Sequence, residues 1–219
     1  MSRALLPTAM YAVKEIFYSL QGEGFHAGRP AIFCRFAGCN LWSGREVDRA
    51  TAACAFCDTD FVGTDGSGGG KFPSAEALAS AIASRWPTSH AGAGFVVFTG
   101  GEPLLQLDAG LLSAMRLRGF FCAVETNGTL TPPKGLDWIT VSPKRTSALA
   151  TVRADEVKLV FPQDNVQPED ALQIPADHYF LQPMDNAHRA ENQARAVEHC
   201  LRDPRWRLSL QTHKYLGIL

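Results

Sequence analysis

The sequence has no long apolar run and no excess of charge of one sign. None of its segments approaches the ~20 apolar residues of a membrane-spanning helix, and the N-terminus lacks the charged region, apolar core and cleavage site of a signal peptide. The 21 Lys and Arg residues nearly balance the 22 Asp and Glu residues, which leaves a net charge of −1 without a long basic run. We therefore expect a cytoplasmic protein that acts on a small molecule, with neither nucleic acid nor a membrane as its partner.

Cysteine is scarce outside one cluster. Cys39, Cys54 and Cys57 form a Cys-x14-Cys-x2-Cys pattern, which favours metal binding in a reducing compartment over a disulfide framework. A structural zinc normally takes four protein ligands, whereas three thiolates on a [4Fe–4S] cluster leave one iron open. The other three cysteines are interpreted as small buried hydrophobic residues, with a fourth ligand among them as the alternative: Cys34, Cys122 and Cys200.

Apolar, β-rich runs alternate with helical patterns along 219 residues, 46% of which are hydrophobic. This alternation predicts an α/β domain in which helices cover a parallel sheet, and the length favours one domain over two. A complete (β/α)₈ barrel takes ~250 residues, so we expect an incomplete TIM barrel with reduced helix content. The predicted strands are Ala12–Phe17, Ala31–Phe36, Phe95–Thr99, Phe121–Glu125, Trp138–Val141, Glu156–Phe161, Tyr179–Gln182 and Arg207–Gln211. The predicted helices follow the N-cap residue Ser74 and span Leu107–Leu117 and Asn186–Leu201.

Polar motifs directly follow several of these strands. In parallel sheets the functional groups lie at the carboxyl ends of the strands, so these motifs are expected to meet at one edge. They are Thr99-Gly100-Gly101-Glu102, Glu125-Thr126-Asn127-Gly128, Ser142-Pro143-Lys144 and Gln182-Pro183-Met184-Asp185.

A resemblance to one family extends over nearly the whole chain. It is carried by the three cysteines together with Tyr18–Gly24, Thr99–Pro103, Ser142–Lys144 and Gln211–Gly217. The chain resembles the radical S-adenosylmethionine (SAM) superfamily and, within it, the 7-carboxy-7-deazaguanine synthases of queuosine biosynthesis. The first cysteine gap of that superfamily is usually three residues. Here it is fourteen, because a polar insertion, expected to be a solvated loop, lies within Leu41–Ala53.

The resemblance implies a radical SAM core domain over residues 1–219, a partial TIM barrel with N- and C-terminal substrate-binding segments. It further implies a homodimer and a flavodoxin-like or other electron donor. The implied reaction is the ring contraction of 6-carboxy-5,6,7,8-tetrahydropterin to 7-carboxy-7-deazaguanine with release of ammonia. Two alternatives stay open: another radical SAM reaction such as activation of a glycyl-radical partner, and a non-catalytic iron–sulfur or zinc module.

The cofactors implied by the resemblance are the [4Fe–4S] cluster, SAM and Mg²⁺. Phe56 is expected to contact SAM, and the alternative is a core aromatic residue under a turn. Gly100-Gly101 is likewise expected to contact SAM, and the alternative is an ordinary strand-to-helix turn before Pro103. The resemblance places SAM against Phe56, Cys57, Asp58, Gly100, Gly101, Glu102, Ser142, Pro143, Lys144, Gln182, Pro183, Met184 and Asp185.

Substrate and magnesium ligands are likewise implied by the resemblance. Arg35 offers a fork of donors to the substrate carboxylate, unless it forms a structural ion pair. Thr59 is expected to bind Mg²⁺, or else to cap a turn, and His213 in a terminal strand is expected to hydrogen-bond the substrate or transfer a proton. The terminal carboxylate of Leu219 is expected to accept N–H groups from the guanine-like edge. The full substrate set is Leu20, Gln21, Gly22, Arg35, Thr99, His213 and Leu219.

Overall fold

The computed structural model describes residues 10–87, 92–146, 149–150 and 153–219. In these residues one sheet of nine strands dominates, and the helices are short. The strands are β1 (Tyr11–Leu20), β2 (Pro30–Phe36), β3 (Gly70–Phe72), β4 (Gly94–Gly100), β5 (Phe120–Thr126), β6 (Trp138–Val141), β7 (Ala154–Phe161), β8 (Ala176–Pro183) and β9 (Trp206–Leu208). The helices are α1 (Ala75–Ala83), α2 (Ala109–Arg116), α3 (Pro168–Ala171), α4 (Arg189–Arg202) and α5 (Thr212–Leu216), with 3₁₀ turns at Glu46–Thr51 and Pro103–Leu105.

The strand order is β3-β1-β2-β4-β5-β6-β7-β8-β9. Every pairing from β2 to β9 is parallel, as the alternation of strand and helix predicts. Strand β1 is different, because it runs antiparallel to both β2 and β3. Residues 21–29 are too few for the crossover that a parallel pair requires, so the chain turns back directly. The prediction of a parallel sheet is therefore wrong for β1, and the three-residue β3 was not predicted.

The last predicted strand is also shorter than expected. Strand β9 ends at Leu208, and Thr212–Leu216 form helix α5, so His213 lies on a helix and not in a terminal strand. Gly217 ends this helix with a φ of 65°, the left-handed conformation typical of a glycine C-cap. The predicted strand to Gln211 is therefore shortened to Leu208, and the residues after Gln211 form a helix. β-forming residues precede this helix, but Gly217 directly after it is a helix stop signal.

Two apolar clusters cover the outer side of the sheet. Helix α1 begins as predicted, with the Ser74 hydroxyl accepting a hydrogen bond from the Ala77 N–H at 3.2 Å. Leu78 and Ile82 of α1 are fully buried against the sheet. Cys34 and Cys122 are 0% exposed in the same cluster, and Cys200 packs at the edge of the second, which fits their predicted role as hydrophobic residues. No helix of the described residues is long and apolar enough to cross a membrane.

The opposite side of the sheet carries a smaller apolar cluster of Ala31, Phe95, Val97 and Ala123 and, on β7, charged side chains, and this difference positions the site. In a strand successive side chains point to opposite faces. Along β7, Val157 and Leu159 enter the second apolar cluster, whereas Glu156 and Lys158 face the other way. The parallel register also aligns strand ends, since Phe36 is paired with Gly100. The motifs that follow the strands therefore gather around one polar concavity.

Candidate functional site

A cavity of about 370 Å³ lies at the carboxyl ends of the strands. This volume lies in the range of small-molecule sites. Most residues expected from the sequence line it, and only Cys39, Glu102 and Pro143 do not. The predicted residues in the lining are Leu20, Gln21, Gly22, Arg35, Cys54, Phe56, Cys57, Asp58, Thr59, Thr99, Gly100, Gly101, Ser142, Lys144, Gln182, Pro183, Met184, Asp185, His213 and Leu219.

Two of the three clustered cysteines, Cys54 and Cys57, line this cavity, and Cys39 lies beside Gly101 of the lining. A hydrogen bond from the Cys54 thiol lowers the pKa of Cys57 to about 6, whereas the same contact and burial raise the pKa of Cys54. Burial raises the pKa of Cys39, whose sulfur accepts a hydrogen bond from the Leu41 N–H at 3.4 Å. Cys57 is thus the thiol of this cluster that loses its proton most easily, and thiolates are the form that binds metal.

The insertion between Cys39 and Cys54 is largely exposed to solvent, as expected, and it contains a 3₁₀ turn. Its 3₁₀ turn has no buried residue, but Trp42 beside it is buried. Arg49 donates from Nη1 to the carbonyl groups of Ala55 (2.8 Å) and Cys57 (3.0 Å), and its guanidinium lies 4.1 Å from the Trp42 ring centroid. The insertion therefore holds the backbone of the Cys54–Cys57 turn.

Lys144 brings a half-buried positive charge next to the thiols. Its Nζ donates to the Ser142 hydroxyl at 2.7 Å and lies 5.5 Å from the Phe56 ring centroid. Burial lowers the pKa of Lys144, and no carboxylate within the described part of the chain pairs with it. A half-buried ammonium without a carboxylate favours an anionic occupant of the cavity.

The donor set distinguishes between two kinds of metal centre. Among residues 10–87, 92–146, 149–150 and 153–219, no group of three or more His, Cys, Asp or Glu side chains is arranged to hold a single metal ion. A [4Fe–4S] cluster makes a different demand, since each thiolate binds its own iron. Three thiols beside a half-buried lysine fit the cluster, which carries negative charge when ligated by thiolates.

The two glycines after β4 are required by the backbone of the neighbouring loop. A Cβ at Gly100 would lie 2.3 Å from the Phe36 carbonyl oxygen, and one at Gly101 would lie 2.3 Å from that of Gly38. Gly100 also has a φ of 140°, which side chains rarely adopt. The pair thus lets the end of β4 pack directly against the loop that carries Cys39. This is a second reason for glycine here, in addition to the close approach of a ligand that the sequence suggested.

Glu102 and Pro143 are placed differently from the expectation. Glu102 is fully buried, and its carboxylate accepts hydrogen bonds from Thr126 Oγ1 and the Asn127 N–H, both at 2.8 Å. It therefore joins the ends of β4 and β5 and does not face the cavity as a SAM acceptor. Pro143 also lies outside the lining, and its carbonyl group accepts from Gln163 at 3.3 Å.

Arg35 forms the structural ion pair that was the alternative to substrate binding, and it also lines the cavity. Its Nε donates to Glu15 Oε1 at 2.8 Å, so the structural ion pair is present. The same residue lines the cavity, and in the described residues its terminal guanidinium nitrogens make no hydrogen bond. Glu15 thus orients the fork while leaving donors for a ligand carboxylate.

The end of the chain reaches the same cavity. The N–H and hydroxyl groups of Thr212 both donate to the Gly22 carbonyl at 2.9 Å, which seats α5 on the Gln21-Gly22 segment. A Cβ at Gly22 would lie 2.1 Å from His213 Nδ1, so glycine is needed for this approach. The Leu219 main-chain oxygen accepts from the Ser19 hydroxyl at 2.6 Å, and Leu219 lines the cavity.

The chain is similar to known proteins over nearly its whole length. Over 208 residues the chain is 62% identical to a 7-carboxy-7-deazaguanine synthase of Bordetella pertussis, with 95% of this chain and 99% of the relative covered. The chain belongs to the 7-carboxy-7-deazaguanine synthase family. A synthase of that name from Bradyrhizobium diazoefficiens is 60% identical with the same coverage. The crystal structure of QueE from Escherichia coli matches with a TM-score of 0.63 and 27% identity, covering 92% of this chain and 93% of that one. No family model matches.

This member of the 7-carboxy-7-deazaguanine synthase family also has a buried charge cluster that the sequence did not reveal. Lys158 is 3% exposed, forms an ion pair with Glu23, and donates to Glu125 Oε2 at 2.9 Å. Although burial alone would raise the pKa of Glu23, the Lys158 ammonium lowers it to about 2. Gln21 donates to the other Glu125 oxygen at 2.9 Å. The one sequence feature that indicates this cluster is Lys158 itself, a lysine among the apolar residues of a strand.

Glu156 lies near this charge cluster, and its carboxyl group gives the stability of the protein a testable pH dependence. It is 2% exposed, and burial raises its pKa from 4.5 to about 7, while its carboxylate accepts the Phe25 N–H at 2.9 Å. A raised carboxyl pKa means that its contribution to stability is present below pH 4.5 and is lost as the pH rises through 7. Wild-type protein therefore loses stability on charging Glu156 in this interval.

The variant Glu156→Gln avoids that loss and keeps an acceptor for the Phe25 N–H. We expect its unfolding free energy, relative to wild type, to increase by roughly 2–3 kcal/mol between pH 5 and pH 8. Urea denaturation at a series of pH values measures the difference. A difference that does not change with pH would show that Glu156 titrates as an ordinary carboxyl group.

Proposed function

We propose that this chain is a radical SAM lyase that converts 6-carboxy-5,6,7,8-tetrahydropterin to 7-carboxy-7-deazaguanine with release of ammonia. The proposal includes a partial TIM barrel of radical SAM type over residues 1–219. One observation carries it: a single cavity is lined by the Cys54–Cys57 turn, the Arg35 fork and the Leu219 carboxylate. Those groups match a cluster, a substrate carboxylate and a guanine-like edge, and family membership supports the same assignment.

Cys39, Cys54 and Cys57 would hold the [4Fe–4S] cluster. When bound, the cluster with SAM supplies a 5′-deoxyadenosyl radical that abstracts hydrogen from the substrate. The protein orients the ligands: Lys144 offers a half-buried positive charge to the SAM carboxylate, and Phe56 packs near it. The other residues proposed to contact SAM are Asp58, Gly100, Gly101, Ser142, Gln182, Pro183, Met184 and Asp185, all of which line the cavity.

The substrate would lie between Arg35 and the chain end. Arg35 binds its carboxylate, and the Leu219 carboxylate accepts its ring and amino N–H groups. His213, which is seated against Gly22, hydrogen-bonds the substrate or moves a proton. Thr59 would bind Mg²⁺, which prefers oxygen ligands. The other ligands of the ion would be water molecules and oxygen atoms of the substrate. The remaining contacts are Leu20, Gln21, Gly22 and Thr99.

A short C-terminal extension is expected to weaken substrate binding. It removes the Leu219 carboxylate, whose oxygen is held by Ser19, and inserts backbone into the cavity. Loss of a charged hydrogen-bond partner costs ~1.5–3 kcal/mol, so the substrate dissociation constant should rise at least ~10-fold. Titration of the pterin into the extended protein and into an N-terminally extended control measures the effect. Equal affinities would remove Leu219 from the site, and unchanged SAM affinity shows that the extension acts locally.

The direct test of the proposed function is anaerobic reconstitution with iron and sulfide, followed by incubation with SAM, a reductant and 6-carboxytetrahydropterin. Chromatography should show 7-carboxy-7-deazaguanine. Cleavage of SAM without this product would indicate a different radical SAM reaction, and a protein that binds only zinc would indicate a non-catalytic module. We further propose a cytoplasmic homodimer that receives electrons from a flavodoxin-like or other donor.

A further inference from the structure

Helix α5 forms one wall of the cavity with very little packing of its own. It has five residues, none of which is buried. A helix of this length is not stable by itself, so its position depends on a few contacts with the rest of the protein. On one side these contacts are those of Thr212 with Gly22 and of Leu219 with Ser19.

Lys214 supplies the contacts on the other side. Its Nζ donates to Asp58 Oδ2 and to Asp185 Oδ2, each at 2.7 Å. Asp58 directly follows Cys57, and Asp185 ends the motif after β8. One ammonium group on α5 thus joins two loops, those of Asp58 and Asp185, that both line the cavity. Its side chain is 33% exposed, so both pairs are partly shielded from water.

The outer face of α5 is loosely packed. A cavity of about 20 Å³ separates it from α4 and is lined by Arg189 and Gln193 of α4 and by Lys214 and Tyr215 of α5. Such a volume holds about one water molecule. Tyr215 contacts Gln193 across this gap but is 56% exposed. Gln211, which precedes α5, donates to Glu23 at 3.0 Å and lies 3.5 Å from Asp58, so the two 2.7 Å ion pairs of Lys214 are the shortest contacts of α5 with the cofactor side.

We propose that Lys214 is a positioning residue that couples the binding of SAM to that of the pterin through α5, an inference that rests on the proposed function. Asp58 and Asp185 lie on the SAM side, and His213 and Leu219 on the substrate side. SAM that orders the two aspartates fixes Lys214 and with it the substrate wall. Thermodynamic linkage makes the effect reciprocal, so the substrate tightens SAM binding by the same factor.

The first test needs no cofactor. In the metal-free protein, Lys214→Met should speed hydrogen exchange at the amides of residues 212–219 at least ~5-fold, because the attachment of α5 is weakened. Lys214→Arg keeps the charge and the donors and should resemble wild type. Lys134→Met, an exposed lysine far along the chain, serves as the matched control. Unchanged exchange in Lys214→Met would show that the ion pairs do not hold α5.

The second test measures coupling in the reconstituted protein. The pterin dissociation constant is determined at constant Mg²⁺ with and without SAM. Wild type and Lys214→Arg should bind the pterin at least ~5-fold more tightly with SAM, the lower end of usual coupling. In Lys214→Met this ratio should approach one while each ligand still binds alone. A merely structural role would weaken both ligands and leave the ratio unchanged.

The outcomes separate the two proposals. Binding of both ligands with a ratio near one in wild type, or with the wild-type ratio in Lys214→Met, overturns the coupling and leaves the proposed function in place. Failure of reconstituted wild type to bind either ligand overturns the proposed function, and the coupling with it.

Discussion

Replacing Cys39, Cys54 or Cys57 with alanine is expected to lower bound iron from about four per chain to nearly none and to abolish turnover. Each thiolate holds a different iron, so two thiolates leave two irons without a protein ligand. Iron and sulfide analysis after anaerobic reconstitution, together with the visible absorption of the cluster, measures the loss. The loop itself should stay folded, because Arg49 holds its backbone through the carbonyl groups of Ala55 and Cys57.

Cys200→Ala is the matched control. Cys200 packs at the edge of the second apolar cluster, outside the cavity lining, and its substitution should leave the iron content at the wild-type level. Full iron content in the Cys54→Ala protein would contradict the cluster assignment. Stoichiometric zinc without iron in the wild-type protein would contradict the radical chemistry altogether.

Replacing Lys158 with methionine is expected to produce the largest change in stability. The substitution leaves the Glu23 and Glu125 carboxylates buried without their cation, and breaking a buried pair in this way costs ~3–5 kcal/mol. Urea denaturation of the metal-free protein at pH 7 measures the loss. The control Arg153→Met breaks an exposed pair with Asp177 and should change the unfolding free energy by less than ~1 kcal/mol.

The pH dependence of the Lys158 variant checks the cause. The pKa of Glu23 is depressed to about 2 in the folded protein, so its contribution to stability is present above the unfolded pKa and is lost as the pH falls toward 2. The difference between wild type and Lys158→Met should therefore be largest near neutral pH and shrink in acid. A loss no greater than that of Arg153→Met would mean that water already screens this cluster.

Much of the site follows from the sequence because strand ends can be read from it. The runs before Thr99, Ser142 and Gln182 are strands, and parallel pairing brings their ends to one edge. Local start signals were equally informative, since Ser74 caps α1 as its position suggests. Such features depend on residues that are close together in the chain.

The features that sequence reasoning missed depend on distant partners. Glu102 belongs to a motif that suggests ligand binding, but Thr126 and Asn127 from the next strand take up its carboxylate. Lys158 can keep its charge when buried because it pairs with Glu23, which lies 135 positions away in the chain. Lys214 likewise has no neighbour in sequence that indicates its pairing with Asp58 and Asp185. No periodicity or spacing contains these contacts.

The central claim, that this cavity carries out the ring contraction, is tested most directly by measuring ammonia and 7-carboxy-7-deazaguanine together. Anaerobically reconstituted wild type and Cys57→Ala are incubated with SAM, Mg²⁺, a reductant and 6-carboxytetrahydropterin. We predict that wild type releases ammonia and the deazaguanine in equal amounts and that Cys57→Ala releases neither. Formation of 5′-deoxyadenosine by wild type without either product, or equal product from both proteins, would contradict the account.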